Sequence, residues 1–371
     1  MSSNIILPPA TIGIIGGGQL GRMLAMSARQ MGYQIIVLDP KVSCPTCQVA
    51  DQHILAQFDD QEALKKLYDL CDVITYEFEN VSGTALFEII DKVPQGNFPL
   101  LFTQDRLTEK TIINDSGFKT VRYQTVSNQE DLKNALKNIG VPALLKTRHG
   151  GYDGKGQQFI TSNADSTEVM GPSILEAFIP IQKEVSLIVT RSTQGEIKMF
   201  PIIDNVHQSQ RLIESSIPTT LNLEMTNKIQ EIGKGLVEAI QMTGTLTIEF
   251  FVTKDNEILI NECAPRVHNS GHLTIEACNV SQFEQHIRAI CGLPLKETDI
   301  ISNSLMVNIY GQDFETSKQA LMEKPEIHYH LYGKKEMKTN RKVGHITVTS
   351  SSIEDIDSYR KYFQSLLNRG N

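Results

Sequence analysis

Two glutamates sit in apolar strands where a carboxylate is out of place. Thr245-Leu-Thr-Ile-Glu-Phe-Phe-Val252 carries Glu249, and Ile258-Leu-Ile-Asn-Glu-Cys263 carries Glu262. Lys254-Asp-Asn-Glu257 between them is turn-like. A two-residue hairpin loop at Asp255-Asn256 puts Glu249 directly opposite Glu262, with Cβ atoms ~5 Å apart. Facing like charges destabilise a hairpin unless a cation lies between them. Oxygen-only ligands favour Mg²⁺, with phosphate oxygens completing the shell. The plainer alternative is two solvated glutamates on an open sheet face, and a longer loop or a bulge breaks the register.

Two glycine-rich stretches suggest anion chemistry. Arg148-His-Gly-Gly-Tyr-Asp-Gly-Lys-Gly156 packs four glycines into positions 150–156. Glycines at that density expose amides that can wrap an anion, and Arg148 and Lys155 add charge. The stretch joins two strands and lacks the Walker spacing and its Ser or Thr, so it reads as a phosphate-covering flap or as a plain hairpin turn. Gly16-Gly-Gly18-Gln-Leu-Gly21 follows a strand and opens a helix, and Asp39 ends the next strand. That is the dinucleotide fingerprint in its proper context, although the same turn also serves packing alone. Cys44-Pro-Thr-Cys47 is a lone C-x-x-C with no second pair for zinc. It reads as two incidental thiols, with a redox pair as the alternative.

The positioning elements change along the chain. Residues 11–105 alternate strand and helix: strands at Thr11–Ile15, Gln34–Leu38 and, third, Asp72–Tyr76, and a helix at Glu62–Leu70. This rhythm predicts a parallel sheet and stops too early for a full dinucleotide fold. Beyond it, Ala143–Arg148 and Gln157–Thr161 read as strands flanking the glycine loop, and Val185–Val189 alternates. Asn222–Gln241 reads as an amphipathic helix. A smaller unit starts at about residue 296, with strands near Ser304–Tyr310 and Gly344–Thr349. The length of 371 residues suits two to three domains. The net charge of −8 argues against nucleic acid or an anionic membrane as main partner. No secretory signal or span-length apolar run is evident, and six scattered cysteines suit a reduced, cytoplasmic setting.

A flap, a carboxylate hairpin and a βαβ unit without a Walker loop together resemble the ATP-grasp superfamily. Asn261-Glu-Cys-Ala-Pro-Arg-Val-His-Asn-Ser-Gly-His272 is similar to a signature of 5-(carboxyamino)imidazole ribonucleotide synthases, and His330–Lys334 with Arg341–His345 resembles that family's C-terminal signature. The likeness runs from Gly16 to His345. It implies an α/β and α+β protein of three-domain ATP-grasp architecture: a Rossmann-like N-terminal parallel sheet (1–105), an ATP-grasp domain with the flap (106–295) and a small C-terminal domain (296–371). The implied reaction is ATP- and Mg²⁺-dependent carboxylation of the amine of 5-aminoimidazole ribonucleotide with bicarbonate, through carboxyphosphate, in purine biosynthesis. The resemblance also implies a homodimer whose partners are its small-molecule substrates. A formate-using glycinamide ribonucleotide transformylase and a nicotinamide dehydrogenase are the competing readings.

The resemblance also assigns residues. Arg106 and Lys146 would contact ATP phosphates, under a flap of Gly151, Tyr152, Asp153, Gly154, Lys155 and Gly156. Glu176-Ala177-Phe178-Ile179 would be the adenine hinge and Glu184 the ribose partner. His207 would reach the phosphates or be an exposed loop histidine. Glu249 and Glu262 would ligate Mg²⁺, with Ala264 where many relatives place a third ligand. Tyr152, Arg266, His268 and Asn269 are the catalytic candidates. Gln19 and Leu20 would contact the aminoimidazole nucleotide, Glu77 or Glu79 its ribose, and Lys334, Arg341 and Lys342 its 5′-phosphate.

Overall fold

A computed structural model describes residues 5–79, 81–151, 156–162 and 167–369. The N-terminal unit contains β1 (Thr11–Ile15), α1 (Gln19–Gln30), β2 (Gln34–Leu38), β3 (Gln52–Ile54), α2 (Gln61–Leu70) and β4 (Val73–Tyr76). The strands form a parallel sheet in the order β3-β2-β1-β4. Leu20, Met23, Leu24 and Ala28 give α1 one buried stripe at helical spacing, and Asp60 caps α2 by accepting from the Ala63 amide. The sequence reading makes Val73–Tyr76 the third strand. It is the fourth, because Gln52-His-Ile54 is a strand too short and too polar to show a period. Strand order reverses between β1 and β4, so Gly16 and Glu77 leave the sheet side by side. Open α/β sheets bind ligands at such a crevice.

A second sheet of four antiparallel strands contains Ala143–Thr147 and Gln157–Ile160, the two strands that flank the glycine loop. A third, nine-stranded sheet has Ile181–Arg191 between Gly244–Thr253 and Ile203–Gln208. The expected alternation of Val185–Val189 is present, but both faces are covered. Val185, Leu187 and Val189 enter one core and Ile188 another. Helix Leu223–Ile240 packs on the first of these cores, capped by Asn222 at its start and ended by Gln241 at φ 51°.

The strands Asn303–Tyr310, His328–Leu331 and Lys342–Ser350 do not form a sheet of their own. Arg211–Ile217 pairs directly with Asn303–Tyr310, so the large sheet runs on past residue 296. The Cys44-Pro-Thr-Cys47 loop also departs from expectation: its two cysteines form a disulfide rather than incidental thiols. Among the described residues no helix is long and apolar enough to cross a membrane.

Candidate active site

Glu249 and Glu262 are register partners, but not by way of a two-residue loop. The Thr253 amide donates to the Glu257 carbonyl and the Asn256 amide to the Thr253 carbonyl, with Asn256 at φ 61°. The connection is therefore three residues, Lys254–Asn256, with its left-handed residue last. This shifts the pairs near the turn by one, so that Phe250 faces Ile260. A bulge next to Glu249, with Asn261 as the extra residue, removes the shift. The two departures cancel, and the carboxylates face each other.

Burial, and then Glu262 opposite, push the Glu249 carboxyl up to about 7. Two facing carboxylates held against their own repulsion, with oxygen the only donor type, fit a hard divalent cation. Arg106 supplies partial relief, with Nη1 3.5 Å from Glu262 Oε2.

The flap end of the site starts at helix Arg106–Asp115, whose N-cap is Asp105. Arg106 Nη2 donates to the Gly151 carbonyl at 3.2 Å. Lys146 reaches Glu176 at 2.7 Å, and Lys110 reaches the other oxygen of Glu176 at 3.0 Å, all three side chains being buried. Burial alone would raise the Glu176 carboxyl, but the two lysines outweigh it and pull it down to about 2. Arg148 is tied to Asp105, so its charge belongs to the base of the loop. In the hinge, the Ala177 and Phe178 amides donate to the Arg122 and Pro142 carbonyls. Phe178 meets Phe159 edge-on at 5.3 Å, and both line the cavity, as does Gly151. His207 lies on strand Ile203–Gln208 rather than in an exposed loop, and its Nδ1 is 2.7 Å from Glu184. Burial works against a charge on His207, yet Glu184 raises its pKa above the ordinary value. Gly156 follows the flap at φ 73°. Tyr152, Asp153, Gly154 and Lys155 lie outside the described residues.

The other end is built on the first glycine turn. Asp39 accepts the Gly17 amide at 2.8 Å, and Glu77 accepts the amides of Gly18 and Gly21. The amides that would bind a dinucleotide pyrophosphate are thus held by the protein's own carboxylates, which removes the physical basis of the dehydrogenase reading. Glu77 has both oxygens engaged, while Glu79 turns to Arg266 at 2.6 Å. Gln19 accepts from Lys334 Nζ at 2.6 Å, and Lys334 also donates to the Lys342 carbonyl. Leu20, Arg341 and Lys342 line the same cavity. Burial and then Arg341 lower the Lys334 ammonium to about 8.

Arg266, His268 and Asn269 connect the two ends. Arg266 reaches Glu79, and His268 Nε2 lies 3.3 Å from Glu249. The Ser270 amide donates to His268 Nδ1, so the ring's proton sits on Nε2. Burial, and then Arg266, keep that imidazole far below its ordinary pKa and therefore neutral. Asn269 is buried, and among the described residues neither its amide nitrogen nor its oxygen has a partner.

The sequence reading misses Glu109 and Lys110. Both are buried on the helix that Arg106 opens, and Glu109 accepts the Cys263 amide at 2.6 Å. Their spacing of three and four from Arg106 is the signal that could have found them.

A family model described as an ATP-grasp domain matches residues 111–283. One described as a ribonucleotide synthetase preATP-grasp domain matches 9–99, and a phosphoribosylaminoimidazole carboxylase C-terminal domain matches 304–359. The chain is 44% identical to the N5-carboxyaminoimidazole ribonucleotide synthase of Bacillus subtilis strain 168, over 94% of this chain and 93% of that protein. It superposes with a TM-score of 0.96 on the crystal structure of an ADP complex of an N5-carboxyaminoimidazole ribonucleotide synthetase, at 44% identity, covering 100% of this chain and 99% of the other. The Aspergillus clavatus synthase in complex with ADP and 5-aminoimidazole ribonucleotide matches with a TM-score of 0.89 at 28% identity, covering 97% of this chain and 99% of the other. The chain therefore belongs to the N5-carboxyaminoimidazole ribonucleotide synthase family of ATP-grasp enzymes.

Proposed function

We propose that the protein uses ATP to convert bicarbonate to carboxyphosphate and carboxylates the exocyclic amine of 5-aminoimidazole ribonucleotide. The products are 5-(carboxyamino)imidazole ribonucleotide, ADP and phosphate. The observation that carries this reading is a single cavity of about 1140 Å³ lined by both ends of the site. It borders the flap, the hinge aromatics and the glutamate pair, and equally Gln19, Lys334 and Arg341. Two nucleotides and a small carbonate fit this division of charge, and related structures hold ADP, or ADP with the aminoimidazole nucleotide.

The same reading gives each residue a role. Arg106 and Lys146 hold ATP phosphates, the Phe178 hinge holds the purine ring, and Glu184 the ribose. Glu249 and Glu262 would hold Mg²⁺, which when bound supplies positive charge to phosphate oxygens. Arg266, 2.6 Å from Glu79, would stabilise the charge that develops as the bicarbonate oxygen takes the γ-phosphoryl group. Asn269 offers an unpaired donor and acceptor to the carboxyl group. His268 cannot act as a base through Nε2, which carries its proton, so it serves as a neutral donor beside Glu249, 3.3 Å away. Lys334 and Arg341 grip the 5′-phosphate. Carboxyphosphate is consumed by water, which gives the flap over Gly151–Gly156 its purpose.

The test is ADP release with 5-aminoimidazole ribonucleotide, bicarbonate and Mg²⁺. Release that depends on all three is expected. No ADP above the background without the ribonucleotide overturns the assignment.

A further inference from the structure

The Cys44-Pro-Thr-Cys47 loop takes no part in the roles above, yet it is tied to them. It braces the first glycine turn. The Thr46 amide donates to the Gly17 carbonyl and the Thr46 hydroxyl to the Gly18 carbonyl, both at 3.0 Å. Arg22 on α1 donates to the Pro45 carbonyl at 2.9 Å. A Cβ on Gly17 would collide with the Cys44 sulfur.

Within the loop the two sulfurs are bonded, with Cα atoms 5.1 Å apart, inside the range a disulfide spans. Cys44 is buried and Cys47 partly exposed. The Cys47 amide donates to Cys44 Sγ at 3.0 Å, which favours a thiolate there once the bond opens. A ring nitrogen of His53 lies within 4.8 Å of both sulfurs. His53 Nε2 is 2.9 Å from the Asp39 carbonyl. A carbonyl only accepts, so the neutral ring keeps its lone pair on Nδ1. An exposed sulfur, a buried partner with an amide donor, and an imidazole able to take a thiol proton are the parts of a thiol–disulfide couple.

We propose that Cys44 and Cys47 are a reversible redox pair that sets the order of the glycine turn, so that oxidation tightens the site for the substrate nucleotide and reduction loosens it. The identity of that nucleotide rests on the function proposed above. In the oxidising direction the Cys47 thiolate attacks one sulfur of a low-molecular-weight disulfide, forms a mixed disulfide and releases one thiolate. Cys44 gives its proton to His53 and attacks the Cys47 sulfur, closing the protein disulfide and releasing the second thiolate. Two protein thiols are oxidised, one external disulfide is reduced, and the two protons leave with the released thiols.

The test uses the full-length protein equilibrated with oxidised or reduced glutathione. The other described cysteines, Cys71, Cys263, Cys278 and Cys291, are buried, so a thiol reagent applied to the native fold reads this pair. Two thiols should appear on reduction and vanish on oxidation. Amide exchange at Gly17, Gly18 and Thr46 should be slower in the oxidised form. KM for the aminoimidazole nucleotide should be roughly threefold to tenfold lower in that form, the factor expected when ordering of one loop is moved out of the binding step, with KM for ATP unchanged. Cys47→Ser should behave as the reduced enzyme in both buffers. Thiols that do not change, or equal amide exchange in the two forms, overturn the proposal. So does zinc held by the reduced protein that blocks reoxidation. Nucleotide-dependent ADP release with one KM in both forms also overturns it while leaving the function standing. No such release in either form overturns the function instead, and amide exchange then decides the redox pair alone.

Discussion

The cavity has a glycine loop at each end, and the two loops use the same residue for opposite purposes. At the end built on the first glycine turn, the amides of Gly17, Gly18 and Gly21 are given to Asp39 and Glu77. A Cβ on Gly18 would lie 3.0 Å from Glu77 Oε2 and closer still to Oε1. That glycine is bare so that a carboxylate of the protein itself can reach the backbone. At the flap end, Gly150 turns the chain at φ 76°, and no atom of the described residues beyond its chain neighbours lies within 4 Å of where its Cβ would be. That glycine is bare for conformational reasons. Glycine density signals that a backbone can be approached, and only the surroundings say by what.

The sharpest way to separate the two ends is to remove the charge that faces the open loop. Glu262→Gln keeps the shape of the hairpin and relieves the repulsion on Glu249, so the fold should persist. Turnover should fall about a thousandfold, roughly 4 kcal/mol of barrier, as expected for loss of a metal-holding charge at a phosphoryl transfer centre. Steady-state kinetics beside a thermal melt checks both halves. Near-normal Mg²⁺-dependent turnover removes the glutamate pair from the site.

Gly18→Ala attacks the closed loop. Its Cβ would press on the Glu77 carboxylate, which is held in place by the amides of Gly18 and Gly21. A stability loss of about 3 kcal/mol is expected, the upper range for overpacking a close approach. Denaturant unfolding measures it. A loss below about 1 kcal/mol would show that Glu77 moves freely and that the loop is not closed as described.

Lys334→Ala tests the ligand of the closed end. KM for the ribonucleotide should rise about tenfold with kcat nearly unchanged, because the proposed phosphate contact would be made equally in ground and transition states. A kcat-only effect would place Lys334 in the chemistry. A pH profile sharpens this. Burial and Arg341 set the Lys334 ammonium at about 8. Below that pH the side chain carries the charge that a phosphate needs, and above it the charge is lost. KM should therefore rise with pH through about 8 in the wild type, and this rise should vanish in Lys334→Ala.

The same contrast explains how far the sequence could be read. A charge inside an alternating apolar strand is a local signal, so Glu249 and Glu262 were visible. Their facing arrangement was reached although the loop is one residue longer than expected, because a bulge at Asn261 compensates. Neither departure leaves a trace in residue type. The Lys110–Glu176–Lys146 group was hidden because three separate segments supply it. Glu77 was legible as a carboxylate near the site, but its two amide partners were not, since they come from the turn after a different strand. Cys44 and Cys47 were legible as a pair, and their bonding depends on how the loop folds under Gly17.

The smallest expected effect closes the comparison from the open side. Gly150→Ala introduces a methyl that meets no atom of the described residues beyond its chain neighbours, so its cost there is that of holding a non-glycine residue at positive φ, about 1 kcal/mol. The thermal midpoint should move far less than in Gly18→Ala, and KM for ATP should change more than KM for the ribonucleotide. Equal destabilisation by the two alanines would mean that both loops are packed joints, and the flap would then lose its claim to close over a ligand.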